Sequence, residues 1–158
     1  MWNCSYDLQV LKALGIKCRK VKGTRVKEIF FQLPPPNKIL LCCDGASKGN
    51  PGISGYGFTG RTSSGEFLVV VSGGLGVSTK YYAEILEVLN TGEWALSKGH
   101  EEVLFRTGSS DAISAFQSKK IPWFAIKIWE KICARPKTWC LIHSYRETNF
   151  SADDLAKK

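Results

Sequence analysis

The run Ile39-Leu40-Leu41-Cys42-Cys43, closed by Asp44, constrains the fold more than any other stretch of the 158 residues. Five apolar residues without polar alternation suit a strand buried on both faces, because successive strand side chains point to opposite sides. A chain holding such a strand needs one layer of structure above it and another below. The material is there: 44 % of residues are hydrophobic and 23 % charged, the balance of an ordinary globular domain. No stretch approaches the roughly 18 apolar residues of a membrane span. The N-terminus, Met1-Trp2-Asn3-Cys4-Ser5-Tyr6-Asp7, lacks the basic start and apolar run of a secretory signal. An intracellular protein of nucleus or cytoplasm, not secreted, is the expectation. The six cysteines form no C-x-x-C pair and no zinc spacing, and adjacent Cys42 and Cys43 on a strand would face opposite sides as reduced thiols.

Pro34-Pro35-Pro36 divides the chain into an N-terminal arm, residues 1–37, and a domain, residues 38–158. The arm holds seven of the 22 Lys/Arg against two acids, and the formal net charge of the whole chain is +8. Its basic residues are densest from Lys17 to Lys27, which suits a polyanion such as nucleic acid and equally a solvated basic tail. In the domain, two further strands are predicted around Ser54–Gly60 and Glu66–Ser72, after a loop from Gly45 to Gly52. From Tyr81 the period becomes helical: Ile85, Val88, Leu89, Gly92, Ala95 and Leu96 share one face. A strand at Glu101–Arg106 follows, then a helix capped by Ser109 or Ser110 and running to Gln117. Pro122 opens an aromatic-rich helix, whose Trp123 and Trp129 are expected to pack in the core rather than stack on bases. A strand at Thr138–His143 and a final helix through Ala152–Ala156 complete a β-β-β-α-β-α-α-β-α order. That order predicts an α/β fold, a mixed sheet with helices on its faces.

Four acids fall where strands end or helices begin: Asp44, Glu84, Asp111 and Asp153. Singly, each has an ordinary structural use, since strand-end aspartates form turns and acids in a first helical turn complement the dipole. Together such positions can converge at one edge of a sheet. Carboxylate oxygens suit Mg²⁺ or Mn²⁺. Two such ions about 4 Å apart would clamp a phosphodiester.

Leu41-Cys42-Cys43-Asp44-Gly45, followed by Gly49-Asn50-Pro51-Gly52, resembles the first signature of the type 1 ribonuclease H family. Ala83-Glu84 resembles its second and Ser109-Ser110-Asp111 its third. The segment from His143 to Asp153, with Asn149 between them, resembles the fourth. The wording Ala-Glu and Arg-Glu-x-Asn-x-x-Ala-Asp is most similar to the ribonuclease H-like proteins derived from plant retroelements. The resemblance implies a ribonuclease H-like fold, a five-stranded mixed sheet in order 3-2-1-4-5 with strands 1–3 antiparallel. It implies a nuclease that hydrolyses the RNA strand of RNA–DNA hybrids with two Mg²⁺ ions (Mn²⁺ able to substitute), leaving 5′-phosphate and 3′-hydroxyl ends. Asp44, Glu84, Asp111 and Asp153 would be the metal ligands and His143 the mobile histidine. Gly45, Asn50, Thr79 and Asn149 would contact nucleic acid, the glycine-rich loop lying near the 2′-hydroxyl that separates RNA from DNA. Lys80 and Tyr81 replace asparagines of the bacterial-type motif, and Ile113 stands where that type has glutamine. The interval from Asp111 to His143 is too short for the basic helix with which bacterial-type enzymes grip hybrid. A monomer bound to hybrid, with no membrane partner, is expected. The alternative is a catalytically silent, nucleic-acid-binding remnant of a retroelement domain.

Overall fold

The computed structural model describes residues 9, 12–15, 26–135 and 138–158. Five strands, β1 (Ile39–Gly49), β2 (Gly52–Arg61), β3 (Phe67–Ser78), β4 (Glu102–Thr107) and β5 (Thr138–His143), make one sheet in the order β3-β2-β1-β4-β5. β1, β2 and β3 are antiparallel, while β4 runs parallel to β1 and β5 parallel to β4. Helices α1 (Lys80–Ser97), α2 (Ser110–Gln117), α3 (Trp123–Ala134) and α4 (Phe150–Ala156) connect and cover the strands, with a 3₁₀ turn at Arg146–Thr148. This is the mixed sheet and element order that the sequence predicts.

β1 is covered on both faces. Leu41 and Cys43 point to the side of α1, α2 and α3, where they meet Phe105, Val88, Leu89, Phe116 and Ile132. Leu40 and Cys42 point the other way and pack with Ala152 of α4. The adjacent cysteines therefore do face opposite sides, and both are free thiols. Burial pushes the Cys42 thiol up to about 11, with Arg106 and Arg61 pulling against it. The arm's last residues add cover on the α4 side. Phe31 lies near the guanidinium groups of Arg61 and Arg106, and with Ile29 it borders a hollow shared with Cys42 and Ala152. Lys27 donates to the Tyr145 hydroxyl at 2.6 Å. The densely basic stretch up to Arg25 lies outside the described residues.

Two strands are longer than the sequence suggests, and glycine is the reason in both. β1 runs on to Gly49, where a loop was expected from Gly45, because it keeps its register with β2 from Leu40↔Arg61 to Gly49↔Gly52. Gly45 is a spacer in that strand: a Cβ there would lie 2.6 Å from the Ala83 carbonyl oxygen in α1. β3 continues past Ser72 to Ser78, and Gly73 opposes Tyr56 in β2. The Tyr56 ring fills the space a Gly73 side chain would need, with a Cβ only 2.5 Å from it. An aromatic ring across from glycine restores the packing that glycine forfeits.

The aromatic helix also departs from expectation. Trp129 packs on Phe116 with ring centroids 4.4 Å apart, but Trp123 is 84 % exposed. Six residues along a helix turn through roughly 600°, which leaves the two indoles about 120° apart around the axis. They cannot share one buried face.

Glu87 of α1 is a buried acid that sequence reading did not single out, hidden between the apolar positions Ile85 and Val88. It is completely inaccessible and accepts a 2.6 Å hydrogen bond from the Thr107 hydroxyl, joining α1 to the end of β4. Its other oxygen, Oε2, has no partner among the described residues. Burial, then the charge of Asp44, hold its pKa well above the ordinary carboxylate value, against the Thr107 hydrogen bond. Burial thus favours the protonated form of Glu87 in the fold. A raised folded-state pKa gives stability that is full below the unfolded value and is lost as pH rises toward the folded one. Glu87→Gln keeps the shape and removes that dependence. Between about pH 5 and 8 the variant's urea midpoint should fall less than that of the wild type. Parallel declines in the two proteins would show that Glu87 does not hold a proton in the fold.

Candidate nucleic-acid cleft

The last β1–β4 pair is Cys43↔Thr107, so Asp44 emerges where β4 has ended, while β2 still holds its other edge through Asp44↔Gly57. A cleft of about 610 Å³ opens at this point. Asp44, Glu84 and Asp153 line it, as do His143 and Asn149. Asp44 ends the buried run of β1, Glu84 sits in the second turn of α1, and Asp153 is in the first turn of α4.

Asp44 and Asp153 lie close enough in the cleft to interact as a hydrogen-bonding pair. Burial, then the Asp153 hydrogen bond and charge, push Asp44 up to about 7 against the pull of the Gly45 N–H and Arg146. At Asp153 burial also pushes upward, but Lys157, the Asp44 hydrogen bond and Arg146 outweigh it, and the net shift is downward. Of the two, Asp44 is the more readily protonated and Asp153 the more readily ionised. Lys157, one helical turn on, donates to Asp153, and the Arg146 Nε lies 3.9 Å from Oδ1. Glu84 accepts a 2.7 Å hydrogen bond from the Ser109 hydroxyl and lies 3.7 Å from the Lys80 ammonium. The acids of the cleft are held by cations and hydroxyls of the same chain.

The remaining predicted site residues fall in three places. His143 is exposed at the end of β5, its ring edge-on to Tyr145 at 5.4 Å. Asn149 is buried; its Nδ2 donates to the Cys43 carbonyl at 2.9 Å, and its Oδ1 has no partner among the described residues. Gly45 borders the cleft through its backbone. Asn50 and Thr79 are not among the cleft lining and instead start α1: Asn50 Oδ1 accepts from the Lys80 N–H and Thr79 Oγ1 from the Tyr82 N–H. Asp111 is exposed in the first turn of α2 and does not line the cleft. Of the tandem acids, Asp153 is buried and Asp154 exposed.

Lys80, Arg146 and Lys157 are the site residues that sequence reading missed, although Lys80/Glu84 and Asp153/Lys157 are visible as i,i+4 pairs. Their presence bears on the two divalent ions that the resemblance implies. A pair of ions needs several carboxylates that are ionised, convergent and not already neutralised. Here Asp153 and Glu84 are ion-paired, and Asp111 does not line the cleft. Among the described residues no group of three or more His, Cys, Asp or Glu is arranged to hold a metal. As they stand, the residues do not fit a two-ion centre.

A family model described as reverse transcriptase-like matches residues 42–158. Among solved structures, RNase H1 of the halophilic archaeon Halobacterium salinarum superposes with a TM-score of 0.70 at 22 % identity, over 76 % of this chain and 95 % of that one. LC11-RNase H1, isolated from compost and solved in complex with RNA/DNA hybrid, gives 0.66 at 26 % identity over 75 % and 94 % of the two chains. The RNase H domain of prototype foamy virus gives 0.62 at 21 % identity, over 75 % and 92 %. No curated protein matches the chain. With strand order, register and family model in agreement, the chain belongs to the reverse transcriptase-like family and has the ribonuclease H fold.

Proposed function

We propose that this domain binds RNA–DNA hybrid in the cleft at the end of β1 and holds it without cutting it. The observation that carries this reading is the internal neutralisation of the cleft. Bare carboxylates would repel a phosphate backbone, and a two-ion enzyme relieves that repulsion with its metals. In this chain Lys80, Arg146 and Lys157 offset the acids directly. Phosphate can approach with no bridging ion. LC11-RNase H1, whose fold this chain shares, is itself a hybrid-bound protein. The nuclease reading draws on the same fold but asks for an acid at Asp111's sequence position to reach the cleft.

A basic and aromatic surface adjoins the cleft and supports a duplex ligand. Tyr82, two residues after Lys80, stacks on Phe124 with centroids 5.8 Å apart, and Phe124 meets the exposed Trp123 edge-on. The Tyr81 hydroxyl reaches the Lys120 carbonyl, which brings Lys119 and Lys120 alongside. Lysines beside exposed rings can seat a phosphate backbone, and the rings can stack on unpaired bases at a duplex end. On the cleft's other rim, Lys27 sits over the ring of Tyr145, a lining residue.

Purified protein mixed with labelled RNA–DNA hybrid, duplex RNA and duplex DNA tests the reading, each in Mg²⁺ and in EDTA. Hybrid should be bound equally in both buffers and recovered whole. Fragments with 5′-phosphate and 3′-hydroxyl ends, formed in Mg²⁺ alone, would return the nuclease reading. Trp123→Ala should weaken hybrid binding by about 1–3 kcal/mol if a base stacks on the indole; unchanged affinity excludes that contact. Removing residues 1–25 takes away six basic side chains and leaves Lys27 in place. The log–log salt slope should flatten by roughly 0.9 for each phosphate the arm had neutralised. Equal slopes for full-length and truncated protein would make the arm a bystander.

A further inference from the structure

We propose that residue 108 decides whether this cleft takes up divalent cations, and that Gly108 is a vacated ligand position; the inference deepens the non-cleaving reading above and rests on it. The placement follows from the sheet. β1 and β4 run parallel with Cys42↔Arg106 and Cys43↔Thr107 paired, so the next residues, Asp44 and Gly108, stand side by side. Gly108 lines the cleft. A Cβ there would lie 3.8 Å from Asp44 Oδ1 and 3.9 Å from the Ser144 carbonyl, with nothing nearer. Those are ordinary contacts, and the backbone at 108 is not in the left-handed region. Neither space nor conformation requires glycine at this place, unlike at Gly45.

Nothing else on the β4–α2 turn takes over. The Ser109 hydroxyl is committed to Glu84 and to the Ala112 N–H that it caps. Asp111, three residues on, belongs to the exposed side of α2. Carboxyl oxygens at 108 would therefore be the third acidic group facing the Asp44–Asp153 pair, with Glu84 across the cleft. Repulsion among three adjacent carboxylates is relieved by a hard cation with oxygen preference. With glycine, Asp153 is met instead by Lys157, which donates to it, and by Arg146 3.9 Å away.

Gly108→Asp should create the site, and titration calorimetry with MnCl₂ and MgCl₂, in the absence of nucleic acid, reads it directly. The wild type should show no saturable uptake in the range where the aspartate variant saturates, a gain of at least about 10- to 100-fold. Gly108→Asn, equal in size but uncharged, should bind no better than wild type. Saturable Mn²⁺ binding by the wild type at the affinity of the aspartate variant overturns the proposal, and so does equal gain with asparagine or a folded aspartate variant that binds nothing. If the aspartate variant does not fold, the wild-type titration still decides: saturation refutes, and its absence together with normal folding of Gly108→Asn supports. Hybrid affinity in EDTA is measured on the same samples. Loss of hybrid binding by the wild type would sink the binding reading, while the metal titration would still stand or fall alone.

Discussion

The burial of β1 on both faces is the constraint from which the rest of the molecule follows. Its apolar residues demand helices α1 to α3 on one side, and α4 with the arm's Ile29–Phe31 region on the other. Once those layers are in place, the strand's polar end must emerge where cover stops. It does so asymmetrically. β2 accompanies β1 to Gly49, whereas β4 parts from it after Cys43↔Thr107. The cleft is the space left by that early parting, and Asp44 is the first residue inside it. The starts of α2 and α4 close around the same point, because parallel strands hand their chain to helices at their C-terminal ends.

Crowding acids at such a point raises the question of how their charge is carried. Asp44, Glu84, Glu87 and Asp153 all feel one another, since Glu87 is shifted upward by both Asp44 and Glu84 and Asp44 by Asp153. Burial favours the protonated form most at Glu87, and at Asp44 it is reinforced by Asp153. The other two are met by lysine and arginine, Glu84 by Lys80 and Asp153 by Lys157 and Arg146. Each of these solutions is internal to the chain, and together they leave little unbalanced negative charge to draw in a metal. Breaking a partly buried pair leaves an uncompensated charge behind, so the arrangement resists piecemeal change.

Sequence reading recovered the sheet and helices because their signals are local. The unbroken apolar run marks β1, the 3.6-residue period marks α1, and Ser109 is visible as the cap of α2. Strand ends were less legible, since glycine reads as punctuation while Gly45 and Gly73 are spacers for Ala83 and Tyr56, partners distant in sequence. The site was legible in part. Asp44, Glu84 and Asp153 sit at element ends that the period analysis locates, and they share the cleft. Asp111 follows from the likeness of Ser109-Ser110-Asp111 to the third motif, but it lies four residues past the end of β4, in the first turn of α2 and exposed. Glu87 is invisible for the opposite reason: an acid inside an apolar helical face looks like surface until its neighbours are known.

The fold can lose a cleft acid at Gly108 without cost to the core, and the reason lies one residue earlier. Thr107 is fully buried, ties β4 to Glu87 through its hydroxyl, and accepts the Ser109 N–H on the same oxygen. That hydroxyl fixes the turn on both sides of position 108, so the backbone there is held whatever side chain it carries. Fold and ion binding are thereby separable at a single residue: Thr107 belongs to the architecture, and Gly108 to the cleft alone. A domain built this way keeps its groove and its shape with glycine at the position beside Asp44. What it gives up is the local excess of negative charge that a divalent cation would answer.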